Sequence, residues 1–226
     1  GNSISDCVGN GLSMYNEADF GIARSPIAGD LLINEILAEQ ASGGADFIEL
    51  YNTTNEVLRL QGLCFTDADM ENDDPETLTN YKAAVSSRYS ILPHSYVVFT
   101  EQADFNRNYY SACGEDLTPY TFIETDLPTY DAEDVAALVV CSIFDSTSVI
   151  DKVHYTKDWH NALLDVTRGV SLERIDVTAP SQDENNWQSA VASVCFATPG
   201  YQNSQSSNNM IAENSSLSIA PATFSP

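Results

Sequence analysis

The densest group of side chains that could bind a metal ion is the acidic stretch at residues 67–74, where five of eight positions are Asp or Glu. Carboxylate and carbonyl oxygens are the ligands that Ca²⁺ prefers. The stretch departs from the calcium-binding EF-hand loop, because Asn72 stands where that loop needs glycine and Leu78 where it needs a bidentate glutamate. A solvated acidic loop is the commoner outcome, so we expect neither a metal ion nor any other cofactor.

The three histidines are the candidates for acid–base catalysis. His94 lies in a turn that contains a proline, His154 lies on a predicted strand, and His160 directly follows Trp159. A hydrolase needs a nucleophile beside a base. The sequence contains no Gly-x-Ser-x-Gly, His-Glu-x-x-His or P-loop motif, and no cysteine in a known nucleophile signature. We therefore interpret the histidines as surface or packing residues and expect no catalytic residue.

Three tyrosines are the candidates for ligand binding. Tyr109, Tyr110 and Tyr120 lie in a loop-rich part of the chain rather than on a predicted strand. A tyrosine combines a large contact area with a polar tip, which suits recognition of a sugar or a protein. Core packing is the alternative for each of them.

The five cysteines leave two alternatives open. Cys7, Cys64, Cys113, Cys141 and Cys195 form no Cys-x-x-Cys pair and have no histidine at zinc-ligand spacing. They are either buried free thiols or include one disulfide. The odd count means that at least one thiol is free or has its partner outside this fragment, and we expect Cys7 to be the residue whose partner lies outside.

The charge of the chain restricts the classes of partner. Nine basic residues against 33 acidic ones give a formal net charge of −24 at pH 7. Such a surface repels phosphate backbones and anionic membranes, and the sequence has no cluster of Lys and Arg. No apolar run approaches the ~20 residues of a membrane helix. We expect no nucleic-acid binding and no membrane insertion by this fragment.

Many short strands must position these residues. Residues 31–37 and 46–52 are predicted to form a hairpin, with Phe47, Glu49 and Tyr51 on one face of the second strand. Further strands are predicted at residues 57–60, 63–66, 88–92, 96–100, 135–144, 148–155 and 169–175. We expect 88–92 to pair with 96–100, and 135–144 with 148–155.

Other segments fall outside this strand pattern. Short helical turns are predicted only at residues 105–112 and 159–166, and residues 67–84 and 114–134 are predicted to be long loops. Many short strands with little helical periodicity are typical of a β-sandwich or barrel.

Five phrases in a fixed order carry a family resemblance. They are Gly29-Asp30-Leu31-Leu32-Ile33-Asn34-Glu35-Ile36-Leu37, Asp46-Phe47-Ile48-Glu49-Leu50-Tyr51-Asn52, Ser171-Leu172-Glu173-Arg174-Ile175, Asn186-Trp187 and Ala197-Thr198-Pro199-Gly200-Tyr201-Gln202-Asn203-Ser204. Over about residues 29–204 the chain thereby resembles the lamin tail domain, an immunoglobulin-like β-sandwich found in nuclear lamins and in secreted bacterial proteins. The resemblance implies an all-β sandwich with long loops and few helical turns. We expect its core to contain Leu31, Ile33, Ile48, Leu50, Val97, Leu138, Val140, Leu172 and Trp187.

The same phrases have a structural interpretation that needs no ligand. Asn34 and Asn52 are expected near strand ends, where Asn side chains bond to turn backbone. We expect Glu35 and Glu49 to pair with Arg59 or Arg174, which are two of the few cations of the chain. Trp187 is expected to close one end of the core.

The domain organisation follows from the same resemblance. Residues 1–28 are interpreted as a remnant of a preceding immunoglobulin-like domain or linker, 29–204 as the lamin tail domain, and 205–226 as a Ser- and Asn-rich linker with the start of a following module. We expect a piece of a longer polypeptide, extracytoplasmic in a bacterium, secreted or at the cell surface.

The expected function is that of a non-catalytic module in adhesion, assembly, or protein or glycan binding. The alternative is a carbohydrate- or calcium-binding accessory domain of a secreted hydrolase. An attached hydrolase would favour the alternative, whereas an array of adhesion-like domains would favour the module.

Overall fold

Two sheets, one mixed and one antiparallel, pack face to face around a single apolar layer in the computed structural model, which describes residues 22–40, 44–69, 74–86, 88–141 and 148–207. The elements are β1 (Leu31–Leu37), β2 (Phe47–Asn52), β3 (Leu58–Arg59), β4 (Leu63–Asp69), β5 (Asp74–Ala83), β6 (Ser90–Ile91), β7 (Tyr96–Thr100), α1 (Ala103–Ser111), β8 (Phe122–Glu124), β9 (Asp134–Val140), β10 (Val149–Tyr155), β11 (Leu172–Arg174) and β12 (Trp187–Ser189). Among the described residues, single-turn 3₁₀ helices lie at Lys157–Trp159, Glu184–Asn186 and Ala192–Val194. The all-β sandwich is confirmed.

The larger sheet has six strands in the order β12-β11-β1-β2-β7-β8. Neighbouring strands within this sheet are antiparallel, except that β7 and β8 are parallel. The smaller sheet has four antiparallel strands in the order β10-β9-β4-β5, and β3 and β6 form a separate short ribbon. None of the helices that the structure describes is long and apolar enough to cross a membrane.

The core lies between the two sheets and follows from the alternation of side chains along each strand. Ile48 and Leu50 of β2 point into it, whereas Phe47 and Glu49 point to the outer face of the larger sheet. Phe65 of the smaller sheet meets Phe99 of the larger one edge to face, with ring centroids 4.9 Å apart. All nine predicted core residues are part of this layer, although Val140 is only partly buried.

A second apolar cluster covers the outer face of the larger sheet. Helix α1 packs there against the strands, together with the residues just after the helix and those just before Thr198. The buried residues of this cluster are Leu37, Phe47, Val98, Tyr110, Leu117 and Ala197. The sheet therefore has no solvent-facing side along these strands, which explains why β1 is buried at every position.

A β-bulge in β1 sets the orientation of its polar residues. Ile33 pairs with Leu50 and Glu35 pairs with Glu49, so Asn34 is the extra residue between them. The bulge turns Asn34 and Glu35 towards the same outer face. Strict alternation would have placed one of them in the apolar core.

The two predicted hairpins at residues 31–52 and 135–155 are confirmed by the pairing of β1 with β2 and of β9 with β10. The predicted pairing of 88–92 with 96–100 is wrong. β6 pairs with β3, whereas β7 pairs with β2 and β8. His94, with a left-handed φ of 51°, lies in the tight turn between β6 and β7, and Asn52 Nδ2 holds this turn by donating to Leu92 O at 2.9 Å.

Both predicted long loops contain strands. Residues 74–83, within the loop predicted at 67–84, form β5, which pairs with β4 and packs Leu78 against the outer face of the smaller sheet. Residues 122–124 form β8, and Leu117, Leu127 and Tyr130 of the same stretch are buried. The helix predicted at 105–112 is confirmed as α1, but the one predicted at 159–166 is wrong, since only Lys157–Trp159 makes a helical turn.

Two disulfides replace both alternatives that the cysteine count left open. Cys64–Cys141 joins β4 to the residue after β9, and Cys113–Cys195 joins the end of α1 to the segment before Thr198. The bridges close loops of 77 and 82 residues, so each constrains the unfolded chain by roughly 2–4 kcal/mol. Cys7 and the remaining residues of 1–21 lie outside the described residues.

Truncation of a core residue tests this architecture. We expect Leu50→Ala, at a fully buried position, to lower the free energy of unfolding by about 2–5 kcal/mol, because a cavity replaces packed atoms. The matched control is Leu163→Ala at a position that is 90% exposed, where the change should stay within about 0.5 kcal/mol. Urea unfolding with the disulfides intact measures both, and equal losses would contradict the packing described.

Candidate functional site

The three candidate tyrosines do not form one surface. Tyr110 lies on the buried face of α1, where its ring meets the ring of Phe47 edge to face, with centroids 6.0 Å apart. Tyr109 is exposed on α1, and Tyr120 lies half-buried in a loop, stacked on Tyr201 at 5.9 Å. Only Tyr109 and Tyr120 present atoms to solvent, so any binding role for Tyr110 acts through packing.

The histidines make separate contacts. His94 Nε2 is 2.8 Å from Asn55 Oδ1 at the surface, and His154 lies half-buried on β10. His160 Nδ1 is 2.9 Å from Ser189 Oγ, and burial lowers the pKa of His160 to about 4. This pair has the chemistry of a base beside a nucleophile, but Ser189 is buried and its Oγ accepts the Asn161 N–H at 2.9 Å.

The acidic stretch is engaged in the β4–β5 hairpin. Asp67 accepts hydrogen bonds from Thr79 Oγ1 at 2.7 Å and from Asn80 Nδ2 at 3.0 Å. Within the described residues, no group of three His, Cys, Asp or Glu side chains is placed to share a metal ion. Residues 70–73 lie outside the described part.

One open groove lies beside the two tryptophans. Trp159 lines it and stacks on the buried Trp187, with ring centroids 6.3 Å apart and planes 29° from parallel. Asn161 and Gln188 line the same groove, and each uses its side-chain oxygen to accept a backbone N–H, from Leu163 and Ser189 respectively. Both side-chain NH₂ groups lack a protein partner among the described residues and are available to a ligand.

A second groove lies at the β6–β7 turn. His94, Tyr96 and Tyr120 line it, together with Pro119 and Gly200. Tyr120 is fixed there by its ring stacking and by its hydroxyl, which donates to Glu115 at 3.0 Å. This groove is more apolar than the first and contains one of the predicted binding residues.

The strongest concentration of ionisable groups is buried in the larger sheet. Glu173 on β11 pairs with Glu35 on β1, and Glu35 pairs with Glu49 on β2, so three glutamates lie side by side across three strands. All three are fully buried. We call them the glutamate row.

Residues 197–205, the closing segment, cover the glutamate row and hydrogen-bond to it. The Thr198 N–H donates to Glu35 Oε1 at 2.9 Å, and the Gly200 N–H donates to Glu49 Oε2 at 2.6 Å. Ser204 Oγ and the Gln205 N–H donate to Glu173 Oε2, at 2.7 and 2.9 Å. The carboxylates thus satisfy backbone groups of a segment that has no strand partner.

Asn34 and Asn203 extend this network. Asn34 Nδ2 donates to Glu49 Oε1 at 2.8 Å and lies 2.7 Å from Asn203 Oδ1. Asn203 Nδ2 in turn donates to the carbonyls of Asn34 and Arg174, at 3.0 and 2.8 Å. The extra residue of the β1 bulge is therefore a contact point for the closing segment.

The row raises the pKa of its members. Burial and the neighbouring Glu173 raise the pKa of Glu35 to about 8. Burial and Glu35 raise the pKa of Glu49 well above its usual value, and burial raises the pKa of Glu173, where several hydrogen bonds oppose the shift. Removal from water disfavours the charged form in each case.

The expected pairing of Glu35 and Glu49 with Arg59 or Arg174 is wrong. Arg174 points to the opposite side, where Nη2 lies 3.2 Å from Asp151 Oδ2 and Nε donates to Ile33 O at 2.9 Å. Its guanidinium also covers the ring of Trp187, 4.9 Å from the ring centroid. Glu173 and Arg174 are adjacent in sequence and therefore serve opposite faces of the sheet.

The other expectations about the phrases divide in the same way. Asn52 does bond to turn backbone, since Nδ2 donates to Glu56 O at 2.8 Å, but Asn34 lies inside a strand. Trp187 closes the core as expected, and its Nε1–H donates to Ser181 O at 2.9 Å. Thr198 and Asn203 were missed as members of the network, although both belong to the last quoted phrase.

The comparisons with known proteins identify a family. A family model described as Lamin Tail Domain matches residues 24–157, which is more than half of the chain. No curated protein matches the sequence. The glutamates of β1 and β2 fall within the matched residues, whereas β11, β12 and the closing segment complete the same structural unit beyond them.

The buried ion pair provides a test of the network on the inner side. We expect Arg174→Met to lower the free energy of unfolding by about 3–5 kcal/mol, because Asp151 keeps its buried charge without a partner. Arg168→Met is the control, since Arg168 pairs with Glu39 at an exposed position and such pairs contribute about 0–1 kcal/mol. Chemical denaturation measures both, and a small loss for Arg174→Met would show that the pair is dispensable.

Proposed function

This chain belongs to the lamin tail domain family, and from that premise we propose that it is a non-catalytic binding module of a larger secreted or cell-surface protein. The family is one of non-catalytic immunoglobulin-like domains. The observation that carries the proposal is the burial of the glutamate row. These three carboxyl groups, whose pKa values are raised by burial, are covered by the closing segment and bonded to its backbone.

Residue accessibility supports the absence of catalysis. An acid–base residue must reach the substrate directly or through one water. Glu35, Glu49 and Glu173 are fully buried, and Ser189, the partner of His160, is 4% exposed. The perturbed pKa values thus belong to structural hydrogen-bond networks, which shift pKa values as active sites do.

The disulfides support an extracytoplasmic location. Cys64–Cys141 and Cys113–Cys195 both lie between segments distant in sequence. Structural disulfides persist in oxidising compartments and are rare in the reducing cytosol. We infer that the module works outside the cytoplasm, as part of a bacterial surface or secreted protein.

The two grooves are the proposed sites of recognition. The groove at Trp159 combines an aromatic ring with the amides of Asn161 and Gln188, a combination that suits the apolar faces and hydroxyls of a neutral sugar. The groove at Tyr120 is more apolar and suits a protein side chain. The net charge of −24 argues against a nucleic-acid partner for either groove.

A glycan array and a pull-down from envelope extracts separate the two kinds of partner. If the Trp159 groove binds sugar, Asn161→Ala and Gln188→Ala should each weaken binding about tenfold, the effect of losing one hydrogen bond of roughly 1.4 kcal/mol. Tyr109→Ala, on a helix away from both grooves, is the control and should bind as the unaltered protein does. Capture of a protein partner that Tyr120→Ala abolishes would instead favour adhesion or assembly.

The absence of catalysis has its own test. We expect the purified protein to leave ester, peptide and glycoside substrates intact and to elute from duplex DNA at physiological salt. Turnover that His160→Ala or Ser189→Ala abolishes, while both variants keep the melting temperature of the unaltered protein, would overturn the non-catalytic proposal.

A further inference from the structure

The glutamate row places three acidic side chains directly opposite one another, which is electrostatically unfavourable if they are charged. Like charges directly opposite each other on neighbouring strands are destabilising, and a buried carboxylate needs a partner. None of the ion pairs formed by the described residues includes Glu35, Glu49 or Glu173. Hydrogen bonds alone must therefore hold the row, and the count of available hydrogens decides its protonation.

The hydroxyl of Thr198 is the critical donor. Its Oγ1 lies 2.7 Å from Glu173 Oε1 and 3.2 Å from Glu35 Oε2. A threonine hydroxyl has one hydrogen, and the shorter contact assigns it to Glu173. Glu35 Oε2 then faces a lone pair of Thr198 Oγ1, which is repulsive if Glu35 is ionised.

The other carboxylate oxygens have their own donors. Glu35 Oε1 accepts from Ser171 Oγ and from the Thr198 N–H, and Glu173 Oε2 accepts from Ser204 Oγ and the Gln205 N–H. Among the described residues, Glu35 Oε2 has Thr198 Oγ1 as its only hydrogen-bond neighbour. Glu35 Oε2 is therefore the carboxylate oxygen that receives no hydrogen from a neighbouring donor.

We propose that Glu35 is a neutral acid whose Oε2–H donates to Thr198 Oγ1, and that this proton makes the closing segment a latch that is tight in acid and loosens as the pH rises. The chain of donors runs from Glu35 to Thr198 and from Thr198 to Glu173. Loss of the proton to solvent replaces the first hydrogen bond with repulsion between two oxygens. The latch then weakens at its first residue.

None of the described Lys, Arg or His residues forms an ion pair with the row. The titratable groups that act on Glu35, or are acted on by it, come from β2, β11, α1 and the closing segment; they are Glu49, Glu173, Tyr110 and Tyr201. All of them are neutral or negative at physiological pH. The surroundings therefore favour retention of the proton as long as the segment is closed.

The direction of the pH effect follows from linkage. The pKa of Glu35 is about 8 with the latch closed and returns towards about 4.3 when the side chain meets water. The closed state binds more protons between these values, so its stability is complete below the lower value and is lost as the pH rises to the upper one. The opening equilibrium should increase about tenfold per pH unit for this proton.

The disulfide limits what opens. Cys113–Cys195 anchors the chain just before the closing segment, so loosening frees residues 198–205 without releasing the segment from α1. Opening uncovers the outer apolar cluster beside Ala197 and Val98. The rest of the sandwich, whose core lies on the other face, remains folded.

Hydrogen exchange of individual amides tests the latch. In the full chain, the protection factors of the Thr198, Gly200 and Gln205 amides, corrected for base-catalysed exchange, should fall about 100-fold between pH 5.5 and 7.5, whereas β2 amides keep theirs. Glu35→Gln places an NH₂ where the proposed proton lies, so its latch amides should lose this dependence. Glu124→Gln, at an exposed position of β8, removes the same charge and should behave as the unaltered protein does.

Two results would overturn the proposal. One is a parallel fall in the protection of β2, which would indicate global repulsion in an acidic protein instead of a local latch. The other comes from the unaltered protein, whose Glu35 carboxyl carbon can be titrated by NMR even if the variant fails to fold: an ionised Glu35 at pH 6 would place the proton elsewhere.

Discussion

The structure depends on the burial of three carboxylates in one row of a β-sheet. Glu173, Glu35 and Glu49 occupy directly opposed positions on three strands, where each would repel the next if all were charged. The row is tolerable only because other parts of the chain supply donors. The bulge at Asn34 and the closing segment both exist where those donors are needed. A β-strand could not replace the closing segment, because the amides of that segment donate to side-chain carboxylates and not to the backbone of a neighbouring strand.

The polar row also fixes the register of the sheet. A shift of one residue in β1 or β2 would turn Glu35 or Glu49 into the apolar core and bring Ile36 or Ile48 to the closing segment. Buried ionisable groups contribute little net stability, but a wrong pairing would leave them unsatisfied. Arg174 and Asp151 act in the same way on the other side, where Asp151 Oδ2 also accepts the Ile33 N–H at 2.8 Å. The family phrases thus specify one pairing of strands and one path for the chain end.

The sequence predicted the features that depend on local pattern and missed those that depend on pairing. The alternation of residues in β2 correctly placed Ile48 and Leu50 in the core, because a period of two residues identifies the face of a strand that points to the core. β1 has no alternation, since it is buried on both faces and contains a bulge. The partners of Glu35 and Glu49 are donors some 150 residues later in the chain, and strand register cannot be read from charge. Residues 67–84 were interpreted as a loop because the carboxylates among them obscure the apolar positions of β5, of which Leu78 is one.

The division between fold-determining and ligand-binding residues follows from this placement. Every quoted phrase contributes to the glutamate row, to the Arg174–Asp151 network or to the turn at Asn52, and these groups are buried. Family membership therefore fixes the sandwich without choosing a ligand. The side chains that remain available to a ligand line the two grooves, some on loops and others on strands, such as Gln188 on β12. Trp159 is the exception that links the two sets, because its ring stacks on Trp187 of a family phrase while its edge lines an open groove. A rigid aromatic held in this way loses little conformational entropy on binding, which makes that groove the better prepared of the two for recognition.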